Sequence, residues 1–152
     1  MTTTQGHRTD TMHLIGPGLR TQLIEDVRRT WTELTDDMGE RGVNQLAAFL
    51  ATSARTSETL TPSLRVDEFW HRFVLRTKEY AAFCDALGAG FIHHVPEPTG
   101  MSDPAKGRAV MKRTMDAIEA AGFTIDAEFW PGAGAADCTQ CHAGCTDSPV
   151  NR

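Results

Sequence analysis

Apolar residues recur at helical spacing through most of this 152-residue chain, and clusters of glycine and proline cut the pattern into short pieces. After Gly16-Pro17-Gly18, the residues Ile24, Val27, Trp31, Leu34 and Met38 follow steps of three and four. That spacing predicts one helix with a single buried stripe, ended by Gly39 and Gly42. A second helix is expected over about 43–55, with Val43, Leu46, Ala47, Leu50 and Ala54 on one side. The Ser/Thr-rich link at 56–61 leads to Pro62, and Ser63 has the chemistry of an N-cap for a third helix carrying Val66, Phe69, Trp70, Phe73 and Val74.

The pattern breaks near Arg76, where Thr77 is expected to cap a fourth helix holding Tyr80, Phe83, Cys84 and Leu87. Gly88-Ala89-Gly90 ends that helix. Residues 91–95 read as an extended segment or loop, and Pro96-Glu97-Pro98 forbids further helix. A fifth helix opens at Ser102 or Asp103, with Pro104 in its first turn and Met111, Met115, Ile118 and Gly122 along its inner stripe. The alternation Phe123, Ile125, Ala127, Phe129 permits one short strand or a packed loop.

The expected fold is therefore mainly α: a compact five-helix domain with at most one short strand and a Cys-rich C-terminal tail. Its organisation reads as a flexible N-terminal tail at 1–15, a helical domain at 16–131 and a Gly/Cys-rich tail at 132–152. A hydrophobic share of 40% beside 23% charged residues belongs to a globular chain rather than a disordered one. The net charge of −5 argues against nucleic acid or an anionic membrane as partner, since phosphate binding needs a basic surface. No apolar run is long enough to cross a bilayer, and Met1 to Asp10 is polar, without the apolar core of a secretory signal. The expected compartment is the cytoplasm, where thiols stay reduced and the four cysteines point to metal binding, redox chemistry or burial.

Chemistry-bearing side chains concentrate between Pro62 and Pro98. Asp67 and His71 stand four apart and share one helix face, and Cys84, His93 and His94 arrive within one further helix and turn. Imidazole, thiolate and carboxylate together are the donor set of a transition-metal site, with Asp67 as a ligand or as the group that orients an imidazole. In an extended segment His93 and His94 point opposite ways, so only one should enter such a site, with His94 preferred. The competing reading is structural: His71 and one of the pair as buried histidines hydrogen-bonded to Asp67 and backbone carbonyls. Cys84 as a nucleophile beside a histidine is a further option, against the commoner fate of a small buried residue on an amphipathic helix.

The run Pro62-Ser63, Val66-Asp67, Trp70-His71, Leu75, Thr77, Tyr80, Cys84, Gly88, Phe91, His93-His94 and Pro96 resembles bacterial members of the glycine-rich domain-containing protein-like family. The resemblance is concentrated in 62–98 and looser over 40–131, and Phe73 stands where plant-type members carry a second histidine. It implies a helical domain and a shared polar site built from the Asp, His, Cys and His-His set, without implying a reaction.

The tail carries Cys138-Thr139-Gln140-Cys141-His142-Ala143-Gly144-Cys145. Cys-x-x-Cys-His matches the attachment pattern of c-type haem, but the lack of an export signal disfavours it. Cys138, Cys141, Cys145 and His142 form a possible zinc ligand set, and the alternative is a tail of oxidation-prone thiols. The leading functional expectation is a small metal-binding helical protein, with a metal-dependent hydrolytic or oxidative enzyme as its catalytic form. Its metal set would be His71, His94, Asp67, His93 and Cys84 in the core and Cys138, Cys141, Cys145 and His142 in the tail. Zinc is the first expectation, with iron or copper as alternatives. Two other readings stand beside it: a non-catalytic interaction module with a structural His/Asp network, and a thiol redox or metal-relay protein acting through the tail. The small-molecule or protein partner is not fixed by the residues.

Overall fold

A computed structural model describes residues 11–95 and 103–131 of the chain. Five helices follow a short helical turn at 11–13: α1 (Pro17–Arg28), α2 (Asp36–Ser53), α3 (Leu64–Leu75), α4 (Thr77–Ala86) and α5 (Pro104–Ala120). The fold is all-helical, and no strand occurs among the described residues. The segment from Phe123 to Phe129 packs as a loop rather than as a strand, with Phe123 and Phe129 buried. Helix α2 is the central element and packs against α1, α3 and α5, while α3 also meets α1 and α4. Its face from Val43 to Leu50 is buried almost continuously.

The first predicted helix is in fact two elements. Helix α1 stops at Arg28, and Trp31 and Leu34 lie in the connection that follows. Both still face the core, Leu34 at 3% exposure and Trp31 with its ring against Phe69 and Phe129. Apolar spacing therefore continued across a helix end, and the real boundary signal was Thr35-Asp36-Asp37. The Thr35 hydroxyl accepts from the Met38 amide, and the two aspartates favour the positive end of α2.

Gly39 and Gly42, expected as terminators, lie inside α2 because of close packing. A Cβ on Gly39 would stand 2.7 Å from Ile24 Cγ2, and one on Gly42 would overlap the ring of Phe69. Their missing side chains are the space in which α1 and α3 approach α2. Ser63 does cap α3 by accepting from the Val66 amide, and Asp103 caps α5 by accepting from Ala105. Thr77, by contrast, is the first residue of α4, and the break is made by the backbone of Arg76 (φ −93°, ψ 71°). Gly122 is not part of the inner stripe of α5. Like Gly88, it takes positive φ just beyond a helix end, where its amide and the next one close back onto the last turn.

Packing begins ahead of residue 16. Thr11 and Ile15 are buried, and Arg20 donates to the carbonyls of Met12 and Ile15 and to Asn44 Oδ1 while pairing with Glu40. At the opposite end of the chain, Gln45 holds the 123–130 loop. Its Oε1 accepts from Trp130 Nε1 at 2.8 Å and its Nε2 donates to the Thr124 carbonyl at 3.0 Å. Arg41 pairs with Asp126 and Glu128 on the same loop. No described helix is long and apolar enough to cross a membrane.

Candidate functional site

Helix α3 places Asp67, Trp70 and His71 on adjoining faces, and the sharp break at Arg76 turns α4 back so that Tyr80 and Cys84 come under the returning segment 91–95. Arg76 fixes this corner with a two-nitrogen contact to Asp26 Oδ2 on α1, at 3.0 and 2.8 Å. Within the angle, Trp70 Nε1 donates to Tyr80 Oη at 2.9 Å, and Tyr80 Oη donates to the Ile92 carbonyl at 2.6 Å. The Ile92 amide in turn points at Cys84 Sγ, 3.5 Å away. Both backbone groups of Ile92 are thus met by side chains of α4.

Two residues further on, His94 closes the return onto α3. Its Nε2 lies 2.5 Å from Asp67 Oδ1, and its ring sits edge-on to Trp70 with centroids 4.4 Å apart. A carboxylate can only accept, so this contact places a ring proton on Nε2. Trp70 itself packs against Phe49 of α2 at 5.2 Å, which links the arrangement to the central helix.

Of the sequence-selected core residues, the fold brings Asp67 and His94 together, with the His71 ring 6.1 Å from that of His94. It does not gather the full set. His93 diverges from its neighbour, exposed and with its ring against Phe91 at 5.0 Å. Cys84 is 1% exposed, with its sulfur turned to the Ile92 amide, the setting of a small buried residue rather than of a nucleophile open to substrate. Among the described residues no three His, Cys, Asp or Glu side chains converge as a metal site needs. The tail candidates Cys138, Cys141, His142 and Cys145 lie outside the described residues.

Burial raises the Tyr80 phenol above its ordinary range; the Trp70 hydrogen bond opposes this in part, and nearby Cys84 adds a lesser upward effect. A hydroxyl held protonated there is suited to donate steadily to a carbonyl. Apolar spacing places Tyr80 only in the stripe of α4, and its polar role follows from its place opposite Trp70. Apolar spacing does not single out Gln45. The signal was present as a lone amide in an otherwise apolar helix face, a position that calls for buried partners.

The fold and this site together define an all-helical domain in which a two-helix corner carries a side-chain clamp on an extended return. The family model that matches the chain is UCP032817-like, over residues 13–121, more than two thirds of its length. The chain belongs to that family. This match overturns the resemblance to the glycine-rich domain-containing protein-like family. The Trp-His, Tyr, Cys and His-His positions that suggested it are here largely the parts of a local packing arrangement, and such a set is a weak guide to ancestry. No curated protein and no solved structure matches the chain.

Proposed function

We propose that this chain is a non-catalytic interaction module whose Asp67, Trp70, Tyr80, Cys84 and His94 set is scaffolding. The observation that carries this reading is the way those polar atoms are used. Trp70 Nε1, Tyr80 Oη, Cys84 Sγ, Asp67 Oδ1 and His94 Nε2 all meet one another or the backbone of Ile92. Their combined effect is to fix the course of residues 91–95. That segment then presents Phe91 at 43% exposure and Val95 at 79%, with His93 between them. Apolar side chains held outward on a braced segment favour protein contact, because little ordering entropy remains to be lost on binding.

The partner is accordingly a protein that buries Phe91 and Val95. Affinity capture with the full chain as bait tests this against two variants. A partner held by wild type and by His71→Ala, but lost with Phe91→Asp/Val95→Asp, supports the module. Equal recovery with the face variant sinks it. The scaffold half has its own test in metal-free buffer: a double-mutant cycle between Asp67→Ala and His94→Ala should show about 1 kcal/mol of coupling, as for a partly exposed hydrogen-bonded pair. If the coupling vanishes, or exists only when a metal ion is added, the pair is not a scaffold.

A further inference from the structure

Side chains alternate along residues 91–95. Phe91, His93 and Val95 are exposed, Ile92 and His94 are half-buried, and the rings of Phe91 and His93 share one side with centroids 5.0 Å apart. That is the two-residue period of an extended chain. In such a chain each residue turns its N–H and C=O to one edge, and successive residues use opposite edges. Ile92 fixes which edge is which. Its amide meets Cys84 Sγ at 3.5 Å and its carbonyl accepts from Tyr80 Oη at 2.6 Å, so the edge of the even-numbered residues faces α4. The amides and carbonyls of Phe91 and His93 therefore face away from α4, and neither residue makes a backbone hydrogen bond among the described residues.

An open backbone edge beside outward apolar side chains is what strand addition uses. Main-chain hydrogen bonds hold the added strand, and alternate side chains select it. The edge is also short. Gly88 and Gly90 precede it and Pro96, which has no N–H to donate, follows it, so pairing is confined to 91–95. Two copies of this chain joined along it would bury little beyond those residues, against about 20–30 residues a side in a stable interface. A single extended peptide matches the edge in length. An acidic side chain opposite His93 accepts from an imidazole N–H, and β-branched residues to either side pack against Phe91 and Val95 as cross-strand pairs.

We infer, on the footing that this face binds protein, that residues 91–95 are a docking edge for an extended segment of the partner. That segment adds antiparallel as a β-strand, with an acidic residue opposite His93 and an apolar residue opposite each of Phe91 and Val95.

The probe is the end-blocked peptide Thr-Val-Thr-Glu-Thr-Val-Thr, titrated into the full-length protein by calorimetry. Methylating the backbone nitrogen of its Glu removes a hydrogen bond to the edge, whereas the N–H of the next Thr points away and its methylation removes none. The first change should weaken binding about tenfold or more and the second less than about twofold, as expected for a lost main-chain hydrogen bond. The peptide with Lys in place of Glu should bind about threefold more weakly. Amide exchange at Phe91 and His93 should slow at least about tenfold on binding, while that of Ile92, already bonded to Cys84, stays as it was. Equal binding by the two methylated peptides, or by the Glu and Lys peptides, overturns the docking edge. So does a lack of binding, or a dimer of the protein that competes with the peptide. Capture of a partner by wild type and its loss with Phe91→Asp/Val95→Asp are read separately, so protein contact at this face is judged apart from strand addition.

Discussion

Replacing Tyr80 by Phe isolates one oxygen atom and asks what it holds. The ring itself is retained, so its edge contacts with Phe73 at 5.0 Å and Phe91 at 5.1 Å survive and no cavity opens. What disappears is the acceptor for Trp70 Nε1 and the donor to the Ile92 carbonyl. Trp70 is 7% exposed, so its indole N–H finds no water, whereas Ile92 is half-buried and its carbonyl regains part of its hydration. A buried unsatisfied group costs about 1–3 kcal/mol, which puts the expected loss at about 1.5–3 kcal/mol. Urea unfolding followed by tryptophan fluorescence reads this as a midpoint lowered by about 1 M, with the slope unchanged. Trp70→Phe removes the orphaned donor, so the double variant should lose less than the two single losses added together. A Tyr80→Phe protein within about 0.5 kcal/mol of wild type would refute the reasoning, because the hydroxyl would then be solvated rather than clamped.

Alanine at two glycine positions should act in opposite directions. Gly42→Ala should destabilise the fold by about 1–3 kcal/mol through overlap with the Phe69 ring, which is fully buried and cannot withdraw, in spite of the better helix propensity of alanine. Gly107→Ala, in α5 with nothing within 4 Å of the added carbon, should instead stabilise by up to about 1 kcal/mol. Thermal unfolding of the two variants separates packing from propensity, and a shared sign would contradict the close approach of α2 and α3.

How much of this was legible in the sequence depended on whether local chemistry alone fixed the outcome. Ser63, Asp103-Pro104 and Gly88 act through their own backbone and immediate neighbours, and the helix ends they mark fall where the sequence places them. Trp31, Leu34 and Met38 misled because a buried connection can keep helical spacing by coincidence, and only the cap at Thr35 shows the break. Gly39 and Gly42 read as terminators because their partners, Ile24 and Phe69, are distant in sequence. The site behaved likewise. Helical period puts Asp67 and His71 on one face, and strand-like alternation lets only one of His93 and His94 turn towards it, without deciding which. That Cys84 faces the Ile92 amide, and that Tyr80 bridges Trp70 to the Ile92 carbonyl, depends on the angle between α3 and α4, which no spacing rule encodes.

Tyr80 is the one tyrosine of the chain, so the ultraviolet absorbance of tyrosinate reports on the clamp alone. Its folded-state pKa is raised above the unfolded value of 10.0, chiefly by burial. The sign of the linkage follows: the folded chain holds the proton that the unfolded chain releases above that pH. This contribution is complete below pH 10 and is lost as the pH rises towards the folded value, by about 1.4 kcal/mol per unit. An alkaline titration that records tyrosinate absorbance and helical dichroism together therefore tests the clamp most directly. The account predicts that ionisation is delayed beyond the ordinary phenol range and appears in step with the loss of helix. Reversible ionisation near the ordinary value, with the helical signal intact, would contradict it.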